Sequence, residues 1–243
     1  MIKLNTVDVM GFKVLNDDLS RVSFTKKTLI NTISPNSYGL STTNLVFKEA
    51  LQKSDILTLD GEYFGLAGVF LKGKTIRKQQ GPDNFRIFIE KANEISGKVF
   101  FLGSSEKTLS LMKARAKIKY PNVRIETYSP PFKAVFSQDD NKNMIDVING
   151  FKPHLLCIGM TAPKQEIWAY QNYNKLDVNV IITIGQVFDW FAGTMDEPNP
   201  IWSKLHLLWF IRTIKRPEIL KRYPMVLKYF WHLFLNIIKV KKN

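Results

Sequence analysis

The sequence predicts an α/β protein: a Rossmann-like parallel sheet covered by helices on both faces, with a C-terminal helical appendage. Three observations predict it. Between about Ser41 and Ile184, short apolar runs alternate with helical patterns of ten or more residues. Those runs are almost continuously apolar, as strands buried on both faces of a parallel sheet are. Past Gly193 the pattern turns to helix only, punctuated by Pro198, Pro200, Pro217 and Pro224. This places an α/β core over residues 1–195 and an appendage over 196–243.

The elements follow in order. Leu29-Ile30 opens a strand that runs into Ser34-Pro35-Asn36-Ser37. Ser41-Thr42 suits the cap of a helix carrying Leu45, Val46 and Leu51, and the strand Ile56–Leu59 then ends in Asp60-Gly61. A helix near Phe85–Ile95 precedes the strand Val99–Leu102, which ends in Gly103-Ser104-Ser105. Next come a helix near Glu106–Ile118 and a strand over Val123–Thr127. Asp139-Asp140 reads as loop, followed by a helix near Met144–Gly150 and a strand over Leu155–Met160. A helix opens at Pro163, and the last strand spans Val178–Ile184.

The net charge of +14 asks for an anionic partner. Residues 201–243 hold ten Lys or Arg against one acid, Glu218, so most of the excess lies in the appendage. There Tyr223, Val226, Leu227, Phe230, Phe234, Ile237 and Ile238 recur at helical spacing, widened by Trp231, Leu233 and Leu235. The longest uncharged stretch, Tyr229–Ile238, is about half of what spans a bilayer. A basic, aromatic amphipathic helix of this kind suits an anionic membrane surface. The same stripe also suits the protein's own core, or a second copy in a homo-oligomer. A nucleic-acid partner is not expected, because the aromatic-plus-basic strand motifs of RNA-binding folds are missing. Cys157, the single cysteine, sits in an apolar run and reads as a buried strand residue. No signal peptide pattern follows the N-terminal charge, so a cytoplasmic location is expected.

Ligands of open parallel sheets bind beyond the C-terminal strand ends. Asp60, Gly103 and the stretch Thr161–Glu166 fall at such ends. Asp60 serves either as a turn residue before Gly61 or as a general base. The helix start at Pro163, with Lys164, reads either as an ordinary cap or as a phosphate site. His154, His206 and His232 are far apart in the chain, and no His/Cys pair has metal-ligand spacing. Neither a P-loop, a Gly-x-Gly-x-x-Gly nor a Gly-x-Ser-x-Gly motif is present.

Taken together in order, Asn31–Ser37, Asp60-Gly61, Gly81-Pro82-Asp83, Phe101-Leu102-Gly103, Ala162–Trp168, Phe188–Gly193 and Leu208–Arg212 resemble the WecG/TagA/CpsF family of bacterial glycosyltransferases. The resemblance covers nearly the whole chain. It implies an inverting, metal-independent enzyme without cofactor, moving a sugar from a UDP-sugar to a saccharide on a polyprenyl diphosphate. It also implies work at the inner face of the cell membrane, in cell-surface polysaccharide or teichoic-acid-type synthesis. Asp60 would be the base and Gln165 a second catalytic residue, with Ser34 and Asn36 lining the donor and acceptor pocket. Gly81, Asp83, Gly103, Thr161 and Lys164 would contribute to binding, and Phe188, Asp189 and Gly193 would shape the floor. Lys78 stands where the family has an arginine, with Arg77 beside it. Arg212 and Arg222 match arginines that the appendage brings over the site. The other reading carried forward is a non-catalytic nucleotide- or anion-binding module at the membrane.

Overall fold

Alternation along each strand decides which side chains face which helical layer, and it does so cleanly here. The computed structural model describes residues 4–61, 63–196, 202, 213–214 and 217–242. An antiparallel hairpin, β1 (Thr6–Val9) and β2 (Phe12–Leu15), precedes the sheet. Its turn is Met10-Gly11, with φ of +50° and +83°, a left-handed pair that tight hairpins favour. The sheet is built from β3 (Thr28–Ile33), β4 (Ile56–Leu59), β5 (Lys98–Gly103), β6 (Arg124–Tyr128), β7 (Leu155–Gly159) and β8 (Val180–Thr183). All its pairings are parallel, in the order β4-β3-β8-β7-β5-β6.

One face presents Ile30, Val99, Phe101, Leu155, Cys157 and Ile182 to the helices α4 (Gly81–Glu94), α5 (Glu106–Lys119) and α8 (Val187–Ala192). The neighbours Leu29, Phe100, Leu102, Leu156, Ile158 and Ile181 point the other way, onto α6 (Gln138–Phe151) and α7 (Lys164–Asn172). Cys157 is fully buried, and desolvation pushes its thiol well above the ordinary range. A third cluster covers the β4 end of the sheet. It joins Ile33, Leu57 and Leu59 to the hairpin, to α1 (Pro35–Ser41), α2 (Leu45–Gln52) and α3 (Leu66–Lys72), and to the long C-terminal helix α9 (Tyr223–Lys242).

The predicted sheet is the observed one; helix starts differ, each for a local reason. Asn44, not Ser41-Thr42, caps α2, its side chain accepting from the Phe47 amide at 2.9 Å, because Ser41 is the last residue of α1. Leu45 and Val46 consequently face solvent, at 77% and 44% exposure. Helix α6 starts at Gln138, well before Met144, on a reciprocal Ser137/Asp140 capping box. Asp139 and Asp140 are its first-turn acids rather than loop, placed where the helix dipole favours them. Pro163 caps α7 instead of occupying its first turn.

Helix α9 docks by one face. Tyr229 is fully buried and donates from its hydroxyl to the carbonyls of Tyr63 and Phe64, at 2.9 and 3.1 Å. Leu233 is buried beside it, and Ile237 packs against the same cluster. Gly39 in the middle of α1 permits this close crossing: a Cβ there would overlap the Met225 carbonyl. Roughly opposite on the helix, Leu227, Phe230, Trp231, Phe234 and Leu235 remain exposed. The tail therefore has two apolar faces, only one of which meets the core. No described helix is long and apolar enough to cross a membrane.

Candidate functional site

The strand order creates crevices at the C-terminal edge. The chain leaves β5 toward the edge strand β6 but leaves β7 toward the sheet centre, so β5 and β7 diverge there. Gly103, at φ +116°, keeps those two backbones close: a Cβ on it would lie 2.5 Å from the Gly159 carbonyl oxygen. Gly159 in turn lies against the Phe188 ring, which is 1% exposed and stacked edge-on against Phe101. Phe188 is thus a support beneath the crevice floor.

Asp60 and Ser34 end adjacent strands. Ile33 pairs with Leu59 in parallel register, and the Asp60 amide donates to the Ile33 carbonyl at 2.8 Å. Ser34 caps α1: its hydroxyl accepts from the Ser37 amide at 3.2 Å, while Ser37 Oγ accepts from the Ser34 amide at 2.7 Å. Asn36, half-buried, occupies the first turn of α1. Asp60 is half-buried, and its Oδ1 accepts from Gln80 Nε2 at 3.2 Å. Gln80 is itself fixed by Asp83, whose carboxylate accepts from the Gln80 amide at 3.0 Å in the cap of α4. Gly81 follows, buried, where a Cβ would press on Val187.

Lys78 bridges to Leu59, one residue before Asp60. Arg77 points elsewhere, its guanidinium on Asp18 at 3.1 Å. The Lys78 backbone thus runs beside the end of β4, while the Arg77 side chain is engaged by Asp18.

At the ends of β7 and β8 lies a buried pair from the first turn of α7. Gln165, 6% exposed, accepts on Oε1 from the amides of Met160 and Gly185, at 3.2 and 3.1 Å. It ties the loop after β7 to the loop after β8. Its Nε2 donates to Glu166 Oε1 at 2.8 Å. Glu166 is 3% exposed, and burial lifts its carboxyl to about 7 against the smaller opposing pull of the Gln165 hydrogen bond. Strand spacing puts the end of β8 roughly 10 Å from that of β4, with β3 and Ser34 between them.

Other expected site residues have different surroundings. Thr161 is exposed, and its carbonyl accepts from the Lys164 amide. The Lys164 ammonium turns to the Lys133 carbonyl at 2.5 Å and lies 3.7 Å from the centre of the Phe136 ring, pinning the loop after β6. Asp189, half-buried, accepts through its backbone carbonyl from Thr194 and Met195. Gly193 is the left-handed end of α8, packed on the Arg115 guanidinium, which donates to the Phe191 carbonyl at 3.2 Å. Arg222 is exposed in the turn before α9, and Arg212 lies outside the described residues. Among the described residues, no three His, Cys, Asp or Glu side chains gather as a metal would require.

Gln80 and Glu166 escaped the sequence reading of individual roles. The pattern Gln80-Gly81-Pro82-Asp83, a cap residue with an acid three positions later, was the available signal for the first. Glu166 gave none, since glutamate in a first helical turn is ordinarily solvated.

A parallel sheet with an acid, Asp60, and a buried glutamine, Gln165, beyond the C-terminal ends of its strands has the form of an α/β ligand-binding or catalytic fold. Residues 3–243 match the Glycosyl transferase WecG/TagA/CpsF family, and the chain belongs to that family; it is a glycosyltransferase. It is 24% identical over 204 residues to the N-acetylglucosaminyldiphosphoundecaprenol N-acetyl-beta-D-mannosaminyltransferase of Staphylococcus aureus (strain NCTC 8325 / PS 47), covering 83% of this chain and 78% of that one. A Bacillus spizizenii (strain ATCC 23059 / NRRL B-14472 / W23) protein with the same name is 24% identical over 209 residues, covering 84% and 77%.

Proposed function

We propose that this glycosyltransferase moves a sugar from a UDP-sugar to a saccharide carried on a polyprenyl diphosphate, with inversion and without a metal. The relatives' names suggest N-acetylglucosaminyl-diphosphoundecaprenol as acceptor and N-acetylmannosamine as the sugar moved. Asp60 takes the proton of the acceptor hydroxyl as that oxygen attacks the anomeric carbon, and the bond to UDP breaks on the opposite face. Lys78, Arg222 and Arg212 offset the charge growing on the departing diphosphate. Gln165 and Gly185 form the far wall, Ser34 and Asn36 the near one. The single observation that carries this reading is the Asp60 carboxylate, held by Gln80 at the sheet's C-terminal edge in a chain matched to the family from residue 3 to 243.

The outward face of α9 supports action at the cytoplasmic surface of a membrane. Leu227, Trp231 and Phe234 are exposed, with Lys228 and Lys239 on the same helix, a composition suited to anionic headgroups. Because α9 packs on α1, that contact brings the lipid-linked acceptor to the helix bearing Asn36.

The test is transfer from a panel of UDP-sugars, with chelator present, to a short polyprenyl-diphosphate N-acetylglucosamine acceptor. Asp60→Asn should lower kcat by about 10²–10⁴-fold while UDP binding by calorimetry persists. A variant with wild-type turnover removes Asp60 as base. UDP binding by the wild type with no transfer to any acceptor supports the non-catalytic module instead.

A further inference from the structure

We propose that Glu166 is a positioning residue of the transfer site: its Oε1 fixes the direction of the Gln165 amide, and through that amide it sets the spacing of the loops after β7 and β8. The proposal rests on the reading of this edge as the site of sugar transfer.

The argument starts from the two ends of a glutamine amide. Its oxygen only accepts and its nitrogen only donates. Gln165 Oε1 sits between two backbone donors, the amides of Met160 and Gly185. A half-turn of the amide would set an NH₂ group against two N–H groups, taking this acceptor from Met160 and leaving Gly185 its longer bond to the Ile158 carbonyl, at 3.3 Å. Those two bonds are long, at 3.2 and 3.1 Å, whereas the bond from Nε2 to Glu166 is 2.8 Å. The shortest and most charge-assisted contact therefore anchors the nitrogen end, and the oxygen end follows.

What makes the carboxyl informative is how poorly it is otherwise accommodated. It is 3% exposed, and its Oε2 has no hydrogen-bond partner. Apart from Asn84 Oδ1, no other described buried side-chain N or O atom is so placed. An apolar side chain of similar size would fill this position without stranding an oxygen. Besides a weaker pull from its own backbone amide, the group that engages this carboxyl is the Gln165 amide, through Oε1. Desolvation lifts the group to about 7, and in either protonation state Oε1 can accept from Nε2.

Loop spacing here bears on transfer because the loops after β7 and β8 lie on the same C-terminal sheet edge as Asp60, and small displacements of bound groups cost rate steeply. Four proteins decide the matter: Glu166→Gln, Glu166→Leu, Gln165→Ala and the double variant Gln165→Ala/Glu166→Leu. Glu166→Gln keeps an acceptor oxygen at Oε1 and should stay within about 3-fold of wild-type kcat, while Glu166→Leu should lose roughly 10-fold or more with KM for the donor little changed. The double variant should be no worse than Gln165→Ala, since both act through one amide. In ligand-free protein, hydrogen exchange at the Met160 amide should speed up by at least about 10-fold in Glu166→Leu and stay slow in Glu166→Gln, with a smaller change at Gly185, whose amide also bonds the Ile158 carbonyl.

Unchanged exchange at the Met160 amide in Glu166→Leu overturns the proposal, as do kcat losses that multiply in the double variant. Should Glu166→Leu fail to fold, Glu166→Asp, one methylene short of Nε2, takes its place with the same expectations. The exchange measurement needs no substrate. If it gives the expected pattern while the wild type transfers no sugar, the functional reading fails and the positioning role stands.

Discussion

Replacing Glu166 by glutamine also tests the state of the buried acid, through stability rather than turnover. In the folded chain the carboxyl titrates at about 7, against 4.5 when solvated. Between those values the native state keeps a proton that the unfolded state has released, so stability falls as pH rises. The full difference is about 2.5 pH units, or about 3.4 kcal/mol, present below pH 4.5 and lost by the time pH passes 7. About 2.5 kcal/mol of this falls between pH 5 and pH 8. Glutamine cannot titrate, and it retains the acceptor for Gln165. Urea denaturation of both proteins at pH 5 and pH 8 isolates the effect, because every other carboxylate cancels in the difference between them. Glu166→Gln should gain on the wild type by about 2.5 kcal/mol as pH is raised. A wild-type-minus-variant difference that is the same at both pH values, within about 0.5 kcal/mol, would refute the reasoning that burial governs this carboxyl.

Three further outcomes follow from the docking of α9. Gly39→Ala drives a methyl into the Met225 carbonyl and should cost about 1–3 kcal/mol, with faster proteolysis within 223–242. Tyr229→Phe keeps the ring but strands the carbonyls of Tyr63 and Phe64; a loss of about 1–2 kcal/mol in thermal or urea unfolding is expected. Trp231→Ser with Phe234→Ser touches only the exposed face, so co-sedimentation with anionic vesicles should fall while the melting temperature holds. Full retention on vesicles would remove that face as the membrane contact.

Much of the fold was legible because strand burial writes itself into the chain. Runs such as Val99–Leu102 and Leu155–Ile158 are apolar on both faces, and that pattern fits only a covered parallel sheet. The hairpin at Met10-Gly11 and the short helix α1 were not legible. Each is too brief for a period to emerge, and each is fixed by contacts with the sheet end and α9. For the site, residue types at strand ends pointed to Asp60 and to the α7 start. They did not reveal that Lys164 turns away to Lys133 and Phe136, since a lysine reaches several partners from one backbone position.

The C-terminal tail shows the same division. Its composition alone determined a basic, amphipathic helix with more apolar surface than one face needs, because helical periodicity is local. Which residues of that surface are buried was decided by the tertiary structure: Tyr229 and Leu233 enter the core beside Gly39, and Trp231 and Phe234 stay outside. The same holds for the active edge. The sequence by itself supplied an acid at the end of one strand and a glutamine after another. That they share one sheet edge with β3 and β8 between them depends on strand order, which is set by non-local packing of helices on the sheet.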